Sequence, residues 1–170
     1  MDLSMQAAHW SGMLEGQVEF LFIDTPHRCG PEPKFHRSAV ESGLYQKREY
    51  RSWKTTQTEA LEKSIEATLS VIDEQGPVDG IGGICEGGLV AALVAARRPE
   101  IKFYLNIASS PPARLASMKS EVVWPTVCPS LHLLSPNDEL FSYQELLEIP
   151  SHCQKATMIA QGNRPPWKKS

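Results

Sequence analysis

Several common signatures are missing from this chain, and each absence narrows what it does. There is no excess of positive charge: 17 basic against 20 acidic residues leave a formal charge of −3. No basic face is therefore expected for a nucleic acid. No apolar run approaches the roughly 20 residues that a membrane span requires. The N-terminus has no basic-then-apolar signal pattern, so neither membrane nor export is expected and the cytoplasm is the expected compartment. The four cysteines, Cys29, Cys85, Cys128 and Cys153, form no C-x-x-C pair and no metal-like His/Cys cluster. Reduced, mostly structural thiols follow, with no metal and no cofactor expected. Internal repeats and low-complexity tracts are also lacking.

What is present is a chain of 170 residues, long enough for one domain with a real core. It is organised around Asp79 to Val90. This stretch reads as a short apolar strand, a glycine-bounded turn, and a small-residue helix running through Ala91 to Ala96. Within it, Gly83-Ile84-Cys85-Glu86-Gly87 is the G-x-S-x-G nucleophile elbow with cysteine in place of serine. A nucleophile on a sharp strand-to-helix turn crowds the positions two residues away, which favours Gly83 and Gly87. The turn also sets Cys85 at a helix N-terminus, where a developing anion is favoured. Phosphate-cradling turns fit less well. A dinucleotide fingerprint starting at Gly80 would put Cys85 where its third glycine belongs, and no G-x-x-x-x-G-K-[ST] follows.

Around the elbow, elements alternate. Met1 to Gly16 suits an amphipathic helix stopped by Gly16, and Val18 to Asp24 reads as a strand buried on both faces. Residues 28–53 form an irregular excursion, a lid or loop, with Tyr45, Tyr50 and Trp53 more plausibly anchoring it than covering a pocket. Thr56-Gln57-Thr58-Glu59 is a capping-box pattern ahead of Leu61, Ile65, Leu69 and Ile72 at helical spacing. Gly76-Pro77 ends that helix, and Arg97-Arg98-Pro99 ends the elbow helix. Lys102 to Ala108, Pro129 to Leu134 and Ala156 to Ala160 read as further strands. Asp138 falls just past a strand end, where catalytic acids sit in doubly wound sheets. Its simpler reading is an N-cap for a helix over Glu139 to Leu147. The alternation predicts an α/β fold with a mainly parallel sheet covered on both faces.

Elbow, then an aspartate after a later strand, then a glycine-containing loop after the last strand is the α/β-hydrolase chain order. The chain resembles the FSH-type serine hydrolases of that superfamily from Val18 nearly to Pro166. The matching stretches are Phe22 to His27, Gly76 to Ile81, the elbow, Pro129 to His132, Asn137-Asp138 and Gly162 to Pro166. The resemblance implies a single three-layer α/β-hydrolase-like domain over residues 1–170. It also implies esterase or thioesterase activity on a small acyl ester or thioester substrate. Glu86 would give an oxyanion N–H and Asp138 would orient a base.

Three departures go with it. Cys85 replaces the family serine, as in the dienelactone hydrolases that this pattern resembles. Asn163 stands at the position of the family histidine and cannot shuttle a proton near neutral pH. Complete members begin with a strand and a Leu-His-Gly-type turn, whereas this chain starts inside the following helix and lacks that first strand. That turn also supplies one oxyanion N–H. An impaired Cys85 hydrolase is therefore expected, and a non-catalytic binding or assembly relative is the alternative. In the alternative, the incomplete sheet would bind a second copy or a partner strand. His27, His132 and His152 are the remaining candidates for a base, with His9 and His36. A flavodoxin-like electron carrier is a distant third, since no phosphate-binding turn is present.

Overall fold

The fold was obtained as a computed structural model, which describes residues 10–29, 50–53, 57–109 and 127–160. Its centre is a sheet of four parallel strands in the order β3-β4-β5-β6. These are β3 (Gly80–Ile84), β4 (Phe103–Ile107), β5 (Ser130–Leu134) and β6 (Ala156–Ala160). Two preceding strands, β1 (His27–Cys29) and β2 (Tyr50–Ser52), form a separate antiparallel pair. The α/β architecture with a parallel sheet is as the alternation predicts.

The elbow helix covers the elbow strand and is itself backed by a second helix. Helix α1 (Thr58–Gln75) buries Leu61, Ser64, Ile65, Thr68 and Ile72 along one stripe, the spacing of a helix with one face in the core. Helix α2 (Glu86–Arg97) packs on β3 and β4 with α1 against it. Every residue from Gly88 to Ala95 is buried, as expected for a helix enclosed on several sides. The small alanines let neighbouring elements approach, and Leu89 and Val94 are completely buried. Truncating Leu89 to alanine would cost roughly 2–5 kcal/mol. Two short helices, α3 (Tyr143–Leu146) and α4 (Glu148–Ser151), lead into β6. No helix among the described residues is long and apolar enough to cross a membrane.

Several expectations need correction. Val18 to Asp24 is not a strand, and Val18, Leu21 and Phe22 are 45%, 45% and 39% exposed. An apolar run becomes a strand only where a neighbour completes its backbone ladder, and no described strand lies beside this one. Correspondingly, β3 is an edge of the sheet, hydrogen-bonded only to β4 among the described residues. Helix α1 has Gln57 as its N-cap, which makes no side-chain cap bond, and Thr56, with which the expected capping box begins, lies outside the described residues. A true capping box forms instead at Ser142 and Glu145. Strand β4 is also less enclosed than expected, with Tyr104 and Asn106 buried but Phe103 50% exposed.

Candidate active site

The turn between β3 and α2 is built as the glycine spacing requires. Cys85 occupies it with φ 50° and ψ −125°, a left-handed conformation uncommon for any residue with a side chain. Hydrogen bonds hold it there. The Cys85 N–H donates to the Ile107 carbonyl at 3.0 Å, tying the turn to β4, and the Gly88 N–H donates to the Cys85 carbonyl at 3.0 Å. A methyl group at Gly83 would collide with the backbone carbonyl of Gly87. The chain thus crosses itself so closely that a side chain at position 83 has no room. Behind the turn, the buried Tyr104 hydroxyl donates to the Gly88 carbonyl at 2.8 Å.

The thiol of Cys85 is half-buried, and its pKa is pushed up, first by burial and then by the charges of Asp138 and Glu86. Burial and the two carboxylates thus oppose the thiolate that a helix N-terminus would favour. The influence of Asp138 brings that residue to the site. Its carboxylate has a second occupation, since Oδ1 accepts from the Leu140 N–H at 2.8 Å and the Phe141 N–H at 3.0 Å. This caps a turn and not the helix expected over Glu139 to Leu147, since α3 starts only at Tyr143 with Ser142 as its N-cap. Glu86 begins α2, and its Oε2 accepts from the Ser52 hydroxyl at 3.0 Å. Asn163 lies outside the described residues.

Residues 3–163 match the family model described as serine hydrolase (FSH1). This chain belongs to the FSH1 serine hydrolase family. Bovine esterase OVCA2 (Bos taurus) is 25% identical over 168 residues, covering 86% of this chain and 74% of its own length. A yden-like hydrolase from Pectobacterium atrosepticum superposes with a TM-score of 0.53 at 17% identity, covering 77% of this chain and 74% of that one. Est1E from Butyrivibrio proteoclasticus gives a TM-score of 0.51 at 16% identity over 60% of this chain. The chain spans only 59% of Est1E. These two structures show the α/β-hydrolase fold.

Within this FSH1-family fold, no described histidine faces Cys85 through a hydrogen bond. His27 Nε2 lies 2.7 Å from the Ala60 carbonyl, at the start of α1. It lines a cavity of about 460 Å³ with Gln57, Thr58, Glu59 and Lys63. His152 caps the end of α4 and is exposed. His132 is completely buried in β5. His9 and His36 lie outside the described residues.

His132 belongs instead to a polar chain beneath the elbow that the sequence did not reveal. Ser109 donates to Asn106 Oδ1, and Asn106 Nδ2 donates to His132 Nδ1 at 2.9 Å. The remaining ring N–H of His132 donates to Ser130 Oγ at 2.9 Å. Burial lowers the His132 pKa to about 4, so the imidazole is neutral at pH 7. Alternate positions of β4 and β5 place Asn106 and His132 opposite each other in parallel register. The only signal in the sequence was the pair of polar residues inside two otherwise apolar strands.

Proposed function

We propose that this FSH1-family chain is an acyl ester or thioester hydrolase of poor turnover, with Cys85 as its nucleophile. The observation that carries the reading is the left-handed turn at Cys85, which lifts a single thiol to the mouth of α2. Such a turn is strained, and strain of this kind is kept where geometry serves chemistry. Cysteine is the nucleophile least dependent on a partner, because some thiolate exists near neutral pH without a base. The raised pKa of Cys85 makes that fraction small. Acylation should therefore speed up as pH rises toward and past the ordinary thiol range. Deacylation needs an activated water, and neither the buried His132 nor the tethered His27 is poised to supply one. Asp138 would be free to steady a water or substrate through Oδ2.

The test is a reaction with p-nitrophenyl acetate followed by intact-mass and peptide analysis. A burst near one equivalent, acetate on Cys85, slow turnover afterwards, and no burst in Cys85→Ala are expected. Sustained turnover at the rate of an ordinary esterase would show that catalysis is not impaired. No acylation of Cys85 at any pH up to about 9, near the ordinary range of a thiol, would remove the hydrolase reading.

The edge of β3, unpaired among the described residues, favours a second reading, a non-catalytic relative whose sheet accepts a strand from a second copy or a partner. Its signature would be concentration-dependent mass in light scattering. A monomer at every concentration, with no binding of an apolar dye, would argue against it.

A further inference from the structure

The end of β2 lies along the first turn of α2. Ser52 donates to the Glu86 carboxylate, and the ring of Trp53 covers Gly87, two residues beyond the thiol. Trp53 packs against the main apolar core, and its carbonyl accepts the Ser64 hydroxyl at 2.8 Å. Its ring is therefore anchored from behind. The indole Nε1 stands 3.2 Å from the point where a side-chain carbon on Gly87 would sit. That N–H has no hydrogen-bond partner among the described residues. No buried side-chain nitrogen or oxygen among them lacks a partner, so the indole nitrogen is at least partly exposed beside Gly87. An exposed donor anchored beside the opening turn of a helix can exchange water for an acceptor from outside.

The geometry points to the Trp53 indole N–H as a hydrogen-bond donor to the acyl carbonyl oxygen of a substrate attacked at Cys85. It completes the oxyanion-binding set of which Glu86 N–H is the other member, and so rests on the reading of Cys85 as nucleophile. In the step concerned, the thiol gives its proton to solvent base and the sulfur lone pair forms a C–S bond. The carbonyl π pair moves to oxygen, where the indole N–H meets it. Collapse returns that pair to the C=O bond and expels the leaving group with its own electrons. With p-nitrophenyl acetate the products are S-acetyl-Cys85 and p-nitrophenolate. A donor aimed at a developing oxyanion acts in the transition state more than in the ground state. The absence of any residue bulk at Gly87 is what lets the indole come this close.

The test compares wild type with Trp53→Phe, which keeps an aromatic ring and loses only the donor. Two reactions of Cys85 are followed by site-resolved mass spectrometry. Acylation by p-nitrophenyl acetate builds an oxyanion, and alkylation by iodoacetamide does not. Trp53→Phe should slow acylation on the order of 10²-fold, the usual loss for one oxyanion donor, and leave alkylation within about twofold. Equal acylation by the two proteins overturns the assignment while the hydrolase reading stands.

Should wild type not be acylated at all, the hydrolase reading falls and a second measurement decides Trp53. The indole N–H proton resonances are recorded before and after Cys85 is converted to its carbamidomethyl form, whose amide carbonyl is an acceptor one methylene farther from the sulfur than the acyl carbonyl. Trp10→Phe, Trp124→Phe and Trp167→Phe identify the Trp53 signal by exclusion, also covering the case in which Trp53→Phe does not fold. A downfield shift of that signal supports the assignment, and an unmoved signal overturns it. A Cys85 that takes neither reagent overturns both readings.

Discussion

Strand β4 and the segment from Val18 to Asp24 are both short and mainly apolar, yet the molecule treats them differently. Phe103–Ile107 has β3 on one side and β5 on the other, so its backbone groups are bonded along both edges. Tyr104 and Asn106 are buried between layers. Val18 to Asp24 has no ladder among the described residues. Its Phe20 and Phe22 rings stack on each other at 6.1 Å rather than entering a core. The difference lies in the neighbours, since backbone groups taken out of water must be bonded. A strand is a property of a sheet, and apolar composition supplies only half of it.

Four substitutions or conditions would break or sharpen this contrast, beginning where the sheet side is tightest. Gly83→Ala should lose at least about 3 kcal/mol in urea unfolding, because the added methyl meets backbone that cannot move aside. A smaller loss would mean that the turn and β3 yield more easily than their packing implies.

Acid comes next, through His132. Its folded pKa, about 4, lies below the ordinary 6.5 of a free histidine, so between these values the unfolded chain binds the extra proton. Stability is then full above about pH 6.5 and falls as pH drops toward 4. The loss should reach on the order of 3 kcal/mol over that window. Unfolding curves at pH 7, 5.5 and 4 would measure it, and His132→Gln should flatten this part of the profile. An unchanged slope would show that the buried ring does not carry the acid sensitivity.

Tyr104→Phe removes one buried hydroxyl from the Gly88 carbonyl and should cost about 1–2 kcal/mol. Leu21→Asp, on the unpaired side, should change stability by no more than about 0.5 kcal/mol, since the residue is exposed. A loss as large as that of Tyr104→Phe would mean that Val18 to Asp24 is paired in solution, and would revive the reading of a sheet completed by a partner.

The sheet half of this molecule was legible in the sequence because local and long-range signals agreed there. Gly83 and Gly87 marked a turn that only small residues permit, and β3, β4, β5 and β6 all formed within a residue or two of their expected places. Cys85 took the turn its flanking glycines marked, and the charges of Glu86 and Asp138 reach its thiol. What failed depended on who stands next to whom. Val18 to Asp24 carried the right residues without the right neighbour among the described residues, and α1 begins at Thr58 with Gln57 as a cap that makes no side-chain bond. Likewise, nothing in the one-dimensional order announced that Asn106 and His132 share a register, or that Trp53 leans over Gly87. Those contacts join residues 26 and 34 positions apart, and no local rule reaches so far.

The backbone at Cys85 carries one further consequence. Glycine is at ease where φ is positive, whereas a residue with a β-carbon pays roughly 1–2 kcal/mol to be there. Cys85→Gly should therefore raise the melting temperature while erasing the thiol. A random library screened for heat resistance alone would enrich glycine at this codon, and one screened for capture of an acyl probe would discard it.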